Sequence, residues 1–163
     1  MMRTCAPLWL LSLALGPVWG QDHHVGRVSP PEARTAAEVS IAINPTNPDN
    51  LVAAAIMRGY QTHPRKPNYT FHSFDAGRSW KTVPTENPDN RTQGDDVVVF
   101  SREGSVVHGY ICFIGTWGNG SRAANGIYTT VSDDGGITWA APVPVVDHLN
   151  TGTPMEDKPW FVF

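Results

Sequence analysis

The chain has only two cysteines among its 163 residues, and it has no run of Lys or Arg. Cys5 lies in the N-terminal 20 residues, so that only Cys112 would stay in a processed chain and no internal disulfide could form. Cys112 stands in an apolar run and is predicted to be a small buried hydrophobe. Aromatic residues are not interleaved with basic ones, which argues against nucleic acid as a partner.

Long hydrophobic runs are also lacking. The apolar stretch at residues 8–15 is shorter than the about 20 residues that a membrane-spanning helix needs. It follows Arg3 and precedes small residues ending at Gly20, which predicts a signal peptide over residues 1–20, cleaved near Gly20. We therefore expect a secreted or periplasmic protein with no membrane partner after cleavage. Its formal net charge would change from −3 to −4, because Arg3 is lost with no acidic residue.

The most informative feature that is present is a repeat. Residues 73–80 (SFDAGRSW) and 132–139 (SDDGGITW) share the pattern Ser-x-Asp-x-Gly-x-Ser/Thr-Trp, 59 positions apart, each after a Tyr-Thr lead-in. The Asp can accept hydrogen bonds from backbone N–H groups a few residues on, the Gly permits a positive φ, and the Trp buries a large ring. Each segment is thus predicted to be a turn between strands, with structural residues Ser73, Asp75, Gly77, Trp80, Ser132, Asp134, Gly136 and Trp139.

Short strand patterns surround both turns in the same order. They divide the chain into an exposed lead-in at residues 21–37, a unit at about 38–86, a second at about 94–147 and the start of a third at 157–163. A repeat near 60 residues with four strands and no helix pattern predicts an all-β fold, a β-propeller fragment of two four-stranded blades plus the start of a third. Because propellers close with typically four to eight blades, we expect the chain to be part of a longer protein.

These turns resemble the Asp box, or bacterial neuraminidase repeat, of sialidases and other secreted β-propellers. Residues 39–53, 94–100 and 156–163 also look like stretches of sialidase-like propellers. The resemblance implies that each box joins the third and outermost strands of a blade, away from any substrate pocket. Asp75 and Asp134 are therefore expected to be structural and not catalytic.

Propeller geometry places the candidate functional groups at the end opposite the boxes. There, adjacent carboxylates can divide into acid and base forms, and an Arg can donate two parallel hydrogen bonds to a sugar carboxylate. Equally, Asp95 and Asp157 precede inner strands, where a carboxylate often accepts hydrogen bonds from backbone N–H groups. The sequence predicts no metal and no cofactor. The candidate catalytic residues are Asp95, Asp96 and Asp157, and the candidate substrate-binding residues are Arg58, Tyr60, Trp117, Arg122 and Glu156.

The resemblance implies a retaining glycoside hydrolase with three substrate-binding arginines, a Tyr nucleophile assisted by Glu, and an Asp acid/base. The Arg-Ile-Pro motif that carries the first arginine in the family is absent from this chain. One hypothesis is a secreted sialidase-like hydrolase of exo-sialidase type, acting on a glycan or glycoconjugate, of which this fragment alone is inactive. The alternative is a non-catalytic β-propeller that binds glycans or a protein partner.

Overall fold

The computed structural model describes residues 25–33, 35–58, 68–114, 124–148 and 156–163. In these ranges eight strands form two four-stranded antiparallel sheets, which confirms the all-β prediction. The first sheet contains β1 (Thr35–Ile43), β2 (Leu51–Arg58), β3 (Asn68–Ser73) and β4 (Lys81–Pro84), and the second contains β5 (Thr92–Phe100), β6 (Val106–Phe113), β7 (Asn125–Ser132) and β8 (Val143–His148). Within the described residues, no helix has the length and apolar character needed to cross a membrane.

Each sheet follows chain order, with every strand antiparallel to the next. The β1–β2 turn and the first box therefore lie at one end of the first sheet, and the β5–β6 turn and the second box lie at the same end of the second. The chain passes from β2 to β3, from β4 to β5 and from β6 to β7 at the opposite end. This alternation separates the boxes from the other set of connections, as the repeat predicted.

The hydrophobic core lies partly between the sheets. Val52 and Ala54 of β2 pack against a cluster on β5 and β6 that consists of Val98, Phe100 and Val106. The other face of the first sheet buries Ala53, Ala55 and Met57 with aromatic rings of β3. β2 is thus buried on both faces. Its alanines have small side chains, which let the neighbouring layers approach closely.

Cys112 is fully buried on β6, beside Tyr110 and Tyr128. Burial raises the pKa of its thiol to about 12, which keeps the sulfur protonated and unreactive at physiological pH. The prediction of a small buried hydrophobe is confirmed.

Two predicted boundaries, and the exposure predicted for the lead-in, differ from the structure. β1 begins at Thr35 and β5 at Thr92, in each case before the predicted start of the unit. The lead-in is exposed at Val25, but Val28 packs against the first sheet and Ala33 is buried there, so this segment covers part of an apolar face.

The predicted third strand at residues 157–163 is wrong, because these residues form no strand. A strand exists by hydrogen bonding to a neighbour, and residues 156–163 cross the second sheet without joining it. Phe161 instead packs against Gly109 of β6. After the second box, which ends at Trp139, the next strand begins only at Val143.

Candidate functional site

The two boxes are hydrogen-bonded turns, as the repeat predicted. In the first, the Ser73 hydroxyl donates to Asp75 Oδ1 at 2.7 Å and accepts from the Gly77 N–H at 2.9 Å. Asp75 also accepts from the Ser79 N–H at 2.8 Å and the Ser79 hydroxyl at 2.6 Å. Hydrogen bonds from Ser79 and Ser73 lower the pKa of Asp75 to about 2. This carboxylate is therefore held ionised as an acceptor and has no proton to donate in catalysis.

The second box repeats this geometry. Asp134 accepts from the Ser132 hydroxyl at 2.8 Å and from the Thr138 N–H at 2.8 Å, and Gly136 donates to the Ser132 hydroxyl. Burial raises the pKa of Asp134, but the hydrogen bonds from Thr138 and Ser132 outweigh burial, so that its pKa is lowered. Both carboxylates have the structural role that the repeat indicated.

Two of the three candidate catalytic carboxyls lie together. Asp95 is in β5, and the Asp157 carboxyl lies beside its side chain. Burial, followed by the hydrogen bond and the charge of Asp157, raises the pKa of Asp95 to about 6. The Lys158 N–H donates to Asp95 Oδ2 at 3.3 Å. Asp95 therefore retains its proton over much of the mildly acidic range.

The pair belongs to a larger charged cluster that sequence reasoning missed. Lys158 Nζ lies 2.5 Å from Glu38 Oε2, so that β1, β5 and the segment 156–163 each contribute a charged side chain. Glu38, Asp95 and Lys158 each have a positive φ, of 52°, 50° and 51°. In β1 and β5 this residue lies in a bulge, between Ala37 and Ser40 and between Gly94 and Val97.

A signal for this cluster was present in the sequence. Alignment of residues 36–43, 93–100 and 156–163 places a charged residue at the same position, namely Glu38, Asp95 and Lys158. Non-glycine residues with positive φ cost about 1–3 kcal/mol each and are found preferentially at functional sites. A bulge also changes the direction of its side chain, so that the alternation of strand residues alone could not reveal the cluster.

Asp96 does not join the pair. It is fully buried, and its Oδ1 lies 2.6 Å from His108 Nε2 and accepts from Asn68 Nδ2 at 2.9 Å. Burial raises the pKa of Asp96, and the interaction with His108 opposes this only in part. Asp95 and Asp96 both lie in the bulge between Gly94 and Val97, where regular alternation is interrupted, so that these neighbours in sequence have different surroundings. A catalytic role for Asp96 on the same substrate as Asp95 is not supported by this geometry.

Of the five candidate substrate-binding residues, only Glu156 has a side chain that the structure describes. Glu156 is half-buried, where its Oε1 lies 2.7 Å from His148 Nε2 and its N–H donates to Asn125 Oδ1. It therefore anchors the segment 156–163 to the second sheet. Of Arg58 only the backbone, at the end of β2, is described. Tyr60, Trp117 and Arg122 lie outside the described residues, and within those residues no group of His, Cys, Asp and Glu could hold a metal ion.

No protein-family model matches the chain, and no curated protein matches its sequence. Among solved structures, the chain is similar to the crystal structure of a protein of unknown function from Dyadobacter fermentans DSM 18053. The two share 18% identity over 69% of this chain and 36% of the other, with a TM-score of 0.47. This chain thus spans about a third of that protein's length, and the similarity assigns neither a family nor a function.

The charged cluster of Asp95, Asp157, Glu38 and Lys158 can donate a proton to a ligand and can bind an anionic group. A carboxyl with a pKa of about 6 can donate a proton near neutral pH, whereas an ordinary Asp is ionised there. Lys158 adds a positive charge next to the pair, in an ion pair whose side chains are about half exposed. Exposed ion pairs are weak, so an anionic group of a ligand can replace Glu38 as the partner of this ammonium.

Proposed function

We propose that the chain is part of a secreted sialidase-like β-propeller that hydrolyses glycosides, of exo-sialidase type. Its support is the repeated unit of four antiparallel strands with an Asp-box turn between the third and fourth, found in both sheets. In the proposed ring the sheets are neighbouring blades, with β1 and β5 as the strands next to the central channel. Their boxes then lie at the end remote from the substrate.

The observation that carries the proposal is the Asp95 carboxyl in the bulge of β5, which lies beside Asp157 and accepts a hydrogen bond from the Lys158 N–H. Glycoside hydrolysis needs a carboxylic acid that gives its proton to the glycosidic oxygen while the bond from this oxygen to the sugar carbon breaks. Asp95 is assigned this role, because burial and the neighbouring Asp157 carboxyl raise its pKa to about 6. Lys158 is assigned to the carboxylate of the acidic sugar, a group that a cation recognises directly.

A pH titration tests the role of Asp95. The acid form is required, so turnover of a fluorogenic sialoside by the full-length gene product should fall as pH rises through about 6. Asp157→Asn removes the neighbouring charge and should move this fall to lower pH, while Asp95→Asn should reduce turnover by about 100-fold or more. Carbon-13 NMR of the Asp95 carboxyl in the purified chain reports the same pKa without need of activity.

Asp49→Asn is the matched control, because Asp49 is an exposed carboxylate in the β1–β2 turn at the box end. It should leave both the pH profile and the turnover unchanged. Hydrolysis that is insensitive to Asp95→Asn, or an Asp95 carboxyl that titrates near 4, would contradict the proposal.

A second candidate function is favoured by the hydrogen bond from the Lys158 N–H to Asp95. This contact ties the segment 156–163 to β5, as expected of a carboxylate with a structural role. Together with the missing Arg-Ile-Pro motif, it supports a non-catalytic propeller that binds glycans or a protein. Glycan-array binding without hydrolysis of any bound glycan would favour this candidate over the first.

A further inference from the structure

A pocket of about 180 Å³ lies between the two sheets, on the side away from β1 and the carboxyl pair. The first sheet contributes part of β3 and the end of β4, and the second contributes β6, β7 and the segment after the box. Neither Asp95 nor Asp157 lines it. The lining residues are Thr70, Val83, Pro84, Thr85, Glu86, His108, Thr130, Trp139 and Ala140.

Three of the lining residues keep a buried polar atom without a hydrogen-bond partner among the described residues. These atoms are Trp139 Nε1, His108 Nδ1 and Thr85 Oγ1. Buried polar atoms are nearly always paired with protein groups, ordered water or a ligand. Three of them around one pocket indicate that its occupant completes the hydrogen bonding.

Comparison of the two boxes shows that the unpaired indole is not a requirement of the turn. Trp80 occupies the same position in the first box, and its Nε1 donates to the Gly77 carbonyl at 3.0 Å. Trp139 has no such partner among the described residues, although the hydrogen bonds of its own box are preserved. The second repeat therefore departs from the first at the residue that lines the pocket.

The chemistry of the three atoms specifies the occupant. The indole N–H of Trp139 is a donor only and needs an acceptor, whereas the Thr85 hydroxyl can donate or accept. His108 Nε2 is engaged by Asp96, which leaves Nδ1 to donate or accept according to the tautomer. A hydroxyl group satisfies each of these atoms because it both donates and accepts.

The charges near the pocket and its volume narrow the class of ligand further. Glu86 lines the pocket and Asp96 lies behind His108, so an anionic ligand would be repelled. At about 30 Å³ for each water, the pocket has room for about six water molecules. We propose that this pocket binds a neutral, hydroxyl-rich small molecule, a polyol or a single monosaccharide unit. The site is independent of the proposed hydrolase function, since it shares no residue with the carboxyl pair.

The test is a titration of the full chain with glycerol, glucose or galactose, observed by the indole N–H resonances in proton–nitrogen NMR spectra. The Trp139 resonance is assigned from Trp139→Phe. It should shift in a saturable manner, while the Trp80 resonance stays in place because its N–H is already bonded to Gly77. Thr85→Val keeps the shape of the side chain and removes the hydroxyl, and it should weaken binding by about tenfold.

Thr82→Val is the matched control, because Thr82 lies on β4, three residues before Thr85, and does not line the pocket. It should bind as the parent chain does. Resonance shifts that grow linearly with polyol concentration, or that are equal for Trp80 and Trp139, would overturn the proposal. The pocket would then hold ordered water only. Saturable binding of an acidic sugar in preference to its neutral analogue would overturn the assigned ligand class.

Discussion

Gly77 and Gly136 occupy the same position in the two boxes, and their φ angles are +82° and +94°. Both glycines relieve the strain that a side chain meets in this conformation. They differ in their surroundings, since a Cβ at Gly136 would lie 2.8 Å from Val52 Cγ2, whereas at Gly77 the nearest atom is in the Trp80 ring at 3.6 Å. Gly136 is thus packed against the neighbouring sheet, whereas the atoms nearest to Gly77 belong to its own box.

We predict that Gly136→Ala destabilises the protein more than Gly77→Ala. The φ strain of either substitution costs about 1–3 kcal/mol, and overpacking against Val52 adds about 1–3 kcal/mol in Gly136→Ala alone. Urea denaturation of the two variants measures the difference. Equal losses in the two variants would show that the second box does not pack closely against β2.

At the scale of elements, the segment 156–163 is held to the second sheet without strand pairing. Phe161 packs where Gly109 of β6 has no side chain, and a Cβ at this glycine would overlap the Phe161 ring. Two hydrogen bonds also hold this segment: the Lys158 N–H donates to Asp95, and the Glu156 N–H donates to Asn125. The packing of one ring on one glycine therefore supports the position of Asp157 beside Asp95.

We predict that Gly109→Ala displaces this segment, because the added methyl group and the Phe161 ring cannot occupy the same space. Hydrogen exchange of the Lys158 amide, which donates to Asp95, should become faster. In a Phe161→Ala background the same substitution should have little further effect, with a coupling free energy of about 0.5–3 kcal/mol between the two sites. Additive effects of the two substitutions would contradict direct packing.

For the whole molecule, β1 presents a row of exposed apolar side chains on one face. Val39, Ile41 and Ile43 are 66%, 55% and 60% exposed along this strand. Contiguous exposed apolar side chains on a strand favour association with other molecules. In a closed ring the adjoining blade would cover this face.

We predict that the chain self-associates through β1 and that Ile41→Lys reduces this association, because a charge on this face resists burial. Sedimentation velocity over a range of protein concentrations measures it. Ile137→Lys is the control, since Ile137 is 49% exposed in the second box, away from β1. Equal reduction by both variants would indicate a general effect of charge on solubility.

The sequence by itself determined the elements whose hydrogen bonds are local. Each box closes within four residues, from Asp75 to Ser79 and from Asp134 to Thr138, so their spacing in the sequence was enough to predict two turns and the strands around them. The sequence also placed Cys112 correctly in the core, since its apolar neighbours form a buried strand.

Only the tertiary structure decided which distant groups meet. The bulge at Asp95 separates it from Asp96, sending one carboxyl to Asp157 and the other to His108. Packing of the sheets likewise left the Trp139 indole N–H beside a pocket without a partner in the described part of the chain, although its sequence pattern equals that of Trp80. Such contacts depend on where a strand departs from regular alternation and on which surface lies opposite, and neither is encoded in the local pattern of residues.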